Sequence, residues 1–130
     1  MRKLIMAAAG VEAAMGLTLM TDPSIVSRLI LGEDLAGVGI ALGRVAGFGF
    51  VALGLACWPP REVGPAVERP LQALLTYNVL VTIYLVCLGI GGSLVGNLLW
   101  PAVALHATLT LLLALACFQQ WQSTSRAKAH

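Results

Sequence analysis

Apolar residues run almost unbroken over 4–20, 36–58, 71–90 and 98–118, and polar residues collect between these stretches. Each stretch is near the ~20 residues that carry a helix across about 30 Å of hydrocarbon, so the pattern predicts four spans. The first is the shortest, and Arg2 and Lys3 ahead of it extend its reach by snorkelling. Asp22-Pro23 ends it, Trp58-Pro59-Pro60 closes the second, and Pro70 opens the third. GIGGSLVG, from Gly89 to Gly96, is a glycine-rich turn before the fourth. Trp58, Trp100 and Trp121 stand near the expected ends, where an amphipathic indole is favoured.

Between the first two spans, TDPSIVSRLILGEDLAG carries its own helix signals. Asp22 is placed to cap a short helix that opens at Pro23 and stops at Gly32. Ile25, Val26, Leu29 and Ile30 share one face of it, which predicts a helix lying in the membrane interface and covering the bundle, with a shallow re-entrant segment as the alternative.

Composition agrees with the pattern. Of 130 residues 58% are hydrophobic and 11% charged, and the mean hydropathy is +0.87. A soluble domain of this size has too little interior for so much apolar surface. The net charge of +2, with no basic stripe interleaved with aromatics, argues against a nucleic-acid partner. The N-terminus imitates a signal peptide, but Glu12 interrupts the apolar run and no small-x-small site precedes the break, so the segment is expected to stay as the first span.

Lys and Arg counts set an expected orientation. Arg2, Lys3, Arg61, Arg69, Arg126 and Lys128 fall on one side and Arg28 alone on the other, which puts both termini in the cytoplasm. The expected architecture is all-α: a four-helix transmembrane bundle with a short interfacial helix between helices one and two, the whole chain forming one transmembrane domain with a tail at 119–130.

Each span holds about one strongly polar residue: Glu12, Arg44, Asn78 and His106. Counted from the span ends at 1.5 Å per residue, all four lie roughly 12 Å inside one surface or the other, in two layers about 6 Å apart. Arg44 shares a helical stripe with Gly37, Ala41, Gly47, Val51 and Gly54, and Glu12 shares one with Ala8, Ala9 and Gly16. Small residues allow close helix approach, so both charges are expected to face inward. Gly39, Gly43 and Gly47 repeat at four-residue spacing and add a packing edge, for use inside the monomer or between copies.

An unpaired ion at mid-membrane costs from about 3 to beyond 10 kcal/mol. Glu12 is the one acidic residue within a span, which predicts a Glu12–Arg44 ion pair with Asn78 and His106 as hydrogen-bonding neighbours. Such a pair either fixes helix register without chemistry or marks a site that relays protons or binds a polar ligand. Tyr77 and Tyr84, seven apart on one face, are either lining for a flat quinone-like ligand or anchors at the interface.

The remaining signals are weaker. Cys57, Cys87 and Cys117 form no CxxC and predict no structural disulfide, and a lone intramembrane histidine argues against a bis-imidazole haem. There is no phosphate loop, nucleophile elbow, HExxH or metal-spaced cluster, so neither an autonomous enzyme, a metal nor a cofactor is expected. LGLACW at 53–58 echoes LALACF at 113–118, a faint hint of two tandem hairpins.

The run PSIVSRLILGEDLAGVGIALGRVAGFGFVALGLACWP, with YNVLVTIYL and LLWPAVALHA further on, resembles a group of small bacterial four-helix membrane proteins that carry no assigned activity. More distantly, four spans with a helical outer connection are similar to the DoxX-like superfamily, which implies membrane redox or quinone chemistry. Three functions are therefore expected in order. The first is an accessory or scaffold component, self-associating or joined to a larger membrane complex in the lipid bilayer. The second is a binder or carrier of a small polar or quinone-like molecule, and the third a redox partner.

Overall fold

The structure is a computed structural model and describes residues 1–58 and 68–127. Arg61, Lys128 and the Pro59-Pro60 stop lie outside the described residues. Those described form five helices and no strand: α1 Arg2–Thr21, α2 Pro23–Leu31, α3 Val38–Ala56, α4 Glu68–Gly91 and α5 Leu99–Ala127. All except α2 are long and apolar enough to cross a membrane.

The helix ends differ from the sequence expectation in ways the backbone explains. α5 runs nine residues past 118, because nothing in FQQWQSTSRA breaks a helix. Ala36 and Gly37 stay outside α3, where Gly37 takes φ +53 before the helix begins. Pro70 lies within the first turn of α4, where a missing N–H is harmless.

The short helix α2 forms as its signals dictate. Asp22 accepts from the Ser24 and Ile25 amides at 3.0 and 3.3 Å, Pro23 occupies the first turn, and Gly32 closes the helix at φ +80. Arg28 near its end pairs with Asp34 at 2.8 Å. Ile25, Val26, Leu29 and Ile30 line one groove with α1 and Leu98, as their shared face predicts, while Pro23 and Ser27 are the fully buried positions. A clasp from the α4–α5 connection holds the helix. The Gly96 amide donates to Ile30 O at 2.9 Å and the Leu98 amide to Leu29 O at 2.7 Å, satisfying carbonyls that the helix end leaves open.

The helices pair as α1 with α3 and α4 with α5, and α1 reaches both pairs. Ile5, Ala8, Ala9, Leu71, Leu74, Leu109, Leu113 and Ala116 make a dry core around Cys57 at the α1 N-terminal end. Leu53 and Cys117, from the two echoed segments, flank this same core. The α1–α3 seam is built from small residues. A Cβ on Gly47 would stand 2.7 Å from Gly16 O, and one on Gly54 2.7 Å from Ala9 O, so the two backbones touch. Gly43 lies against Pro23 and Gly39 against Leu35, so all three glycines of the expected packing edge meet atoms of this chain, Gly47 buried and the other two partly exposed.

Candidate functional site

On α1 the buried stripe is Ile5, Ala8, Ala9, Glu12, Gly16 and Leu19, spaced by three and four residues. Glu12 therefore belongs to the core face by position alone, and its side chain is only 1% exposed. The Tyr77 hydroxyl from α4 approaches its carboxyl. One carboxyl oxygen, Oε1, is fully buried and has no partner among the described residues.

The expected Glu12–Arg44 ion pair does not form. Arg44 is exposed, and the one ion pair among the described residues is Arg28–Asp34. Helix register is the reason. Gly16 meets Gly47 and Val51, and Gly54 meets Ala9 and Ala13, which sets Glu12 level with about position 53 of α3. Arg44 is then roughly 13 Å further along the axis, beside the α1 C-terminus. It also sits on the flank of the seam, about 120° around α3 from Phe50, the residue that turns toward α4. The small residues on its stripe do face α1, but the arginine does not. It lies only about 9 Å into α3, near enough to the end for its long side chain to snorkel out.

Asn78 and His106, expected as neighbours of that ion pair, bond each other instead, both buried, with Nδ1 of the histidine 2.8 Å from Asn78 Oδ1. Asn78 Nδ2 donates to Leu74 O at 2.9 Å, which fixes the amide and leaves its oxygen to accept. His106 Nδ1 must then donate, so a neutral ring carries its lone pair on Nε2, which makes no hydrogen bond among the described residues. Thr82 ties the same turn by donating to Asn78 O at 2.7 Å.

Three rings join these groups. Tyr77 packs edge-on against Phe50, with centroids 5.5 Å apart and planes at 70°, and against His106 at 6.2 Å and 73°. Tyr77 thus links the carboxyl to the histidine, while Tyr84 does not enter the cluster. It is 64% exposed, as an anchor would be.

Two participants escaped the sequence reading. Phe50 has a signal in its place three residues after Gly47 on the seam helix, and Thr110 in its place four after His106 on one face of α5. Thr110 Oγ1 is the second buried side-chain atom without a partner among the described residues, and it falls one turn from the histidine. The described residues contain no group of His, Cys, Asp or Glu fit to hold a metal, and the three cysteines are free.

Beside the cluster a groove of about 520 Å³ opens sideways between α3 and α4. Leu53 and Leu80 line it together with Arg69, Gln72, Thr76 and Tyr77, so one face of the tyrosine belongs to the groove while its hydroxyl belongs to Glu12.

No protein-family model, curated protein or solved structure matches this chain.

Proposed function

We propose that this chain is a multi-pass protein of the bacterial inner membrane, with both termini cytoplasmic, that binds a small flat molecule donating hydrogen bonds, of the hydroquinone kind. The observation that carries this reading is Glu12 Oε1, a buried carboxyl oxygen without a partner among the described residues. Leaving such an atom unsatisfied costs about 1–3 kcal/mol, more when it is charged. A register-fixing ion pair would have explained the residue, but its arginine is elsewhere.

The ligand chemistry follows from what is unfilled. Glu12 Oε1 accepts hydrogen bonds, and so does His106 Nε2, which favours a molecule with two donors. The ring edges of Phe50, Tyr77 and His106 favour a flat one. The site is closed around the carboxyl, and Tyr77 is the piece with room to move, because its other face adjoins the groove. An accessory or scaffold role rested on the glycine edge, whose Gly47 is buried against α1 of this same chain.

Titration of the purified protein in detergent with a short-chain naphthohydroquinone, followed by calorimetry, tests the reading. Wild type is expected to bind, and Glu12→Leu to bind at least about tenfold more weakly, the size of one charge-assisted hydrogen bond. Arg44→Gln and Tyr84→Phe are expected to match wild type. No binding by wild type, or equal losses in Glu12→Leu and Arg44→Gln, would sink it.

A further inference from the structure

We propose that the groove between α3 and α4 seats one anionic phospholipid, with its phosphate at Arg69 and an acyl chain lying along Leu53 and Leu80. The proposal rests on the membrane placement above, but not on the ligand at Glu12. Arg69 is the one charged residue lining the groove, it is exposed, and it pairs with nothing among the described residues. Arg28, also exposed, shows the contrast, since its guanidinium is taken by Asp34 at 2.8 Å. An open guanidinium at the mouth of a groove selects a phosphate, which it meets through two parallel N–H donors.

The rest of the groove suits the rest of a lipid. Gln72 and Thr76 follow Arg69 at three- and four-residue spacing along one stripe of α4, so they offer donors to ester oxygens just below the phosphate. Beyond them the walls become apolar, and Arg69 to Leu80 spans about 16 Å of helix, enough for a headgroup and the upper part of a chain. α3 and α4 scarcely touch, so the groove opens toward the place where lipid lies. Tyr77 closes its inner end. A seated lipid therefore holds that ring against Glu12 and makes lipid composition a control on the site.

Native mass spectrometry of the full chain released from nanodiscs of phosphatidylglycerol and phosphatidylcholine in equal parts tests this. Wild type is expected to retain one phosphatidylglycerol at least about tenfold more often than phosphatidylcholine. Arg69→Gln should erase that preference, Arg69→Lys should restore part of it, and Leu53→Trp, which fills the groove, should remove the bound lipid. Arg28→Gln and Glu12→Leu should retain lipid as wild type does, so a failure of the hydroquinone reading leaves this result standing and the reverse. Equal retention of the two lipids by wild type, or a phosphatidylglycerol preference that survives in Arg69→Gln or Leu53→Trp, overturns the proposal.

Discussion

Helix α3 presents two unlike sides to the rest of the molecule. Toward α1 it is a row of Gly47, Val51 and Gly54 whose backbone touches the backbone of Gly16 and Ala9. Toward α4 it makes one aromatic contact, Phe50 on Tyr77, and leaves a groove of about 520 Å³. The first side has no slack, because small residues bring backbone against backbone and leave no rotamer to adjust. The second side is held by rings that turn about a single bond. A buried carboxyl placed between them has one wall packed backbone to backbone and one that borders open space, and Tyr77 belongs to the second.

The sharpest way to break this contrast is to fill the fixed side. Gly47→Leu places atoms where a Cβ alone would stand 2.7 Å from Gly16 O and 2.9 Å from the Met20 amide. We expect a loss of about 3 kcal/mol or more in unfolding by sodium dodecyl sulfate in mixed micelles. Phe50→Leu on the open side should cost about 1 kcal/mol. Equal losses would mean that the two faces are packed alike. Next in size is the clasp on α2. A Cβ at Gly96 would overlap Leu29 O, so Gly96→Ala should cost about 2 kcal/mol by forcing the connection off the α2 carbonyls. Faster hydrogen exchange at the Leu98 amide, with the α1–α3 amides unchanged, is the accompanying signature.

Much of this was legible before the structure, and the part that was not has a common cause. The four apolar runs and both ends of α2 depend on local chemistry, namely hydrophobic length, an Asp-Pro start and a Gly stop, so the sequence carries them. The meeting of Asn78 and His106 and the close α1–α3 approach also follow from polarity and small-residue stripes. Register between helices is different. Depth counted from span ends put Glu12 and Arg44 about 6 Å apart, but the seam is set by which glycine meets which backbone, and it separates them by roughly 13 Å. Rotation was left open for a related reason. Tyr77 and Asn78 are neighbours 100° apart, yet both point inward, because the first faces α3 and the second faces α5. Tyr84, nearly in line with Tyr77, is one heptad further along and emerges on the surface.

The site itself gives the next prediction, and its sign differs from the others. Replacing a buried carboxyl with an apolar residue of similar volume removes a desolvation penalty, and here no ion pair is lost in exchange. Glu12→Leu should therefore stabilise the fold by about 1 kcal/mol in the same unfolding assay while it weakens hydroquinone binding. Tyr77→Phe should do the opposite to stability, costing about 1 kcal/mol, because it strips the carboxyl of the hydroxyl that reaches it. If Glu12→Leu destabilises by several kcal/mol, the carboxyl is a structural member and the binding reading loses its chief support.

The smallest effect belongs to Arg44, which the sequence made the most conspicuous residue in the chain. Exposed and roughly 13 Å along the axis from the level of Glu12, it has no buried partner to abandon, so Arg44→Leu should change stability by no more than about 0.5 kcal/mol. A double-mutant cycle makes the comparison strict. Residues that share no partner and stand this far apart combine additively, so Glu12→Leu with Arg44→Leu should equal the sum of the two single changes to within about 0.5 kcal/mol. A coupling well above that value would return the arginine to the carboxyl. It would also shift the α1–α3 register, because with Gly16 opposite Gly47 the two side chains are held at different levels, and no side-chain rotation alone closes the distance.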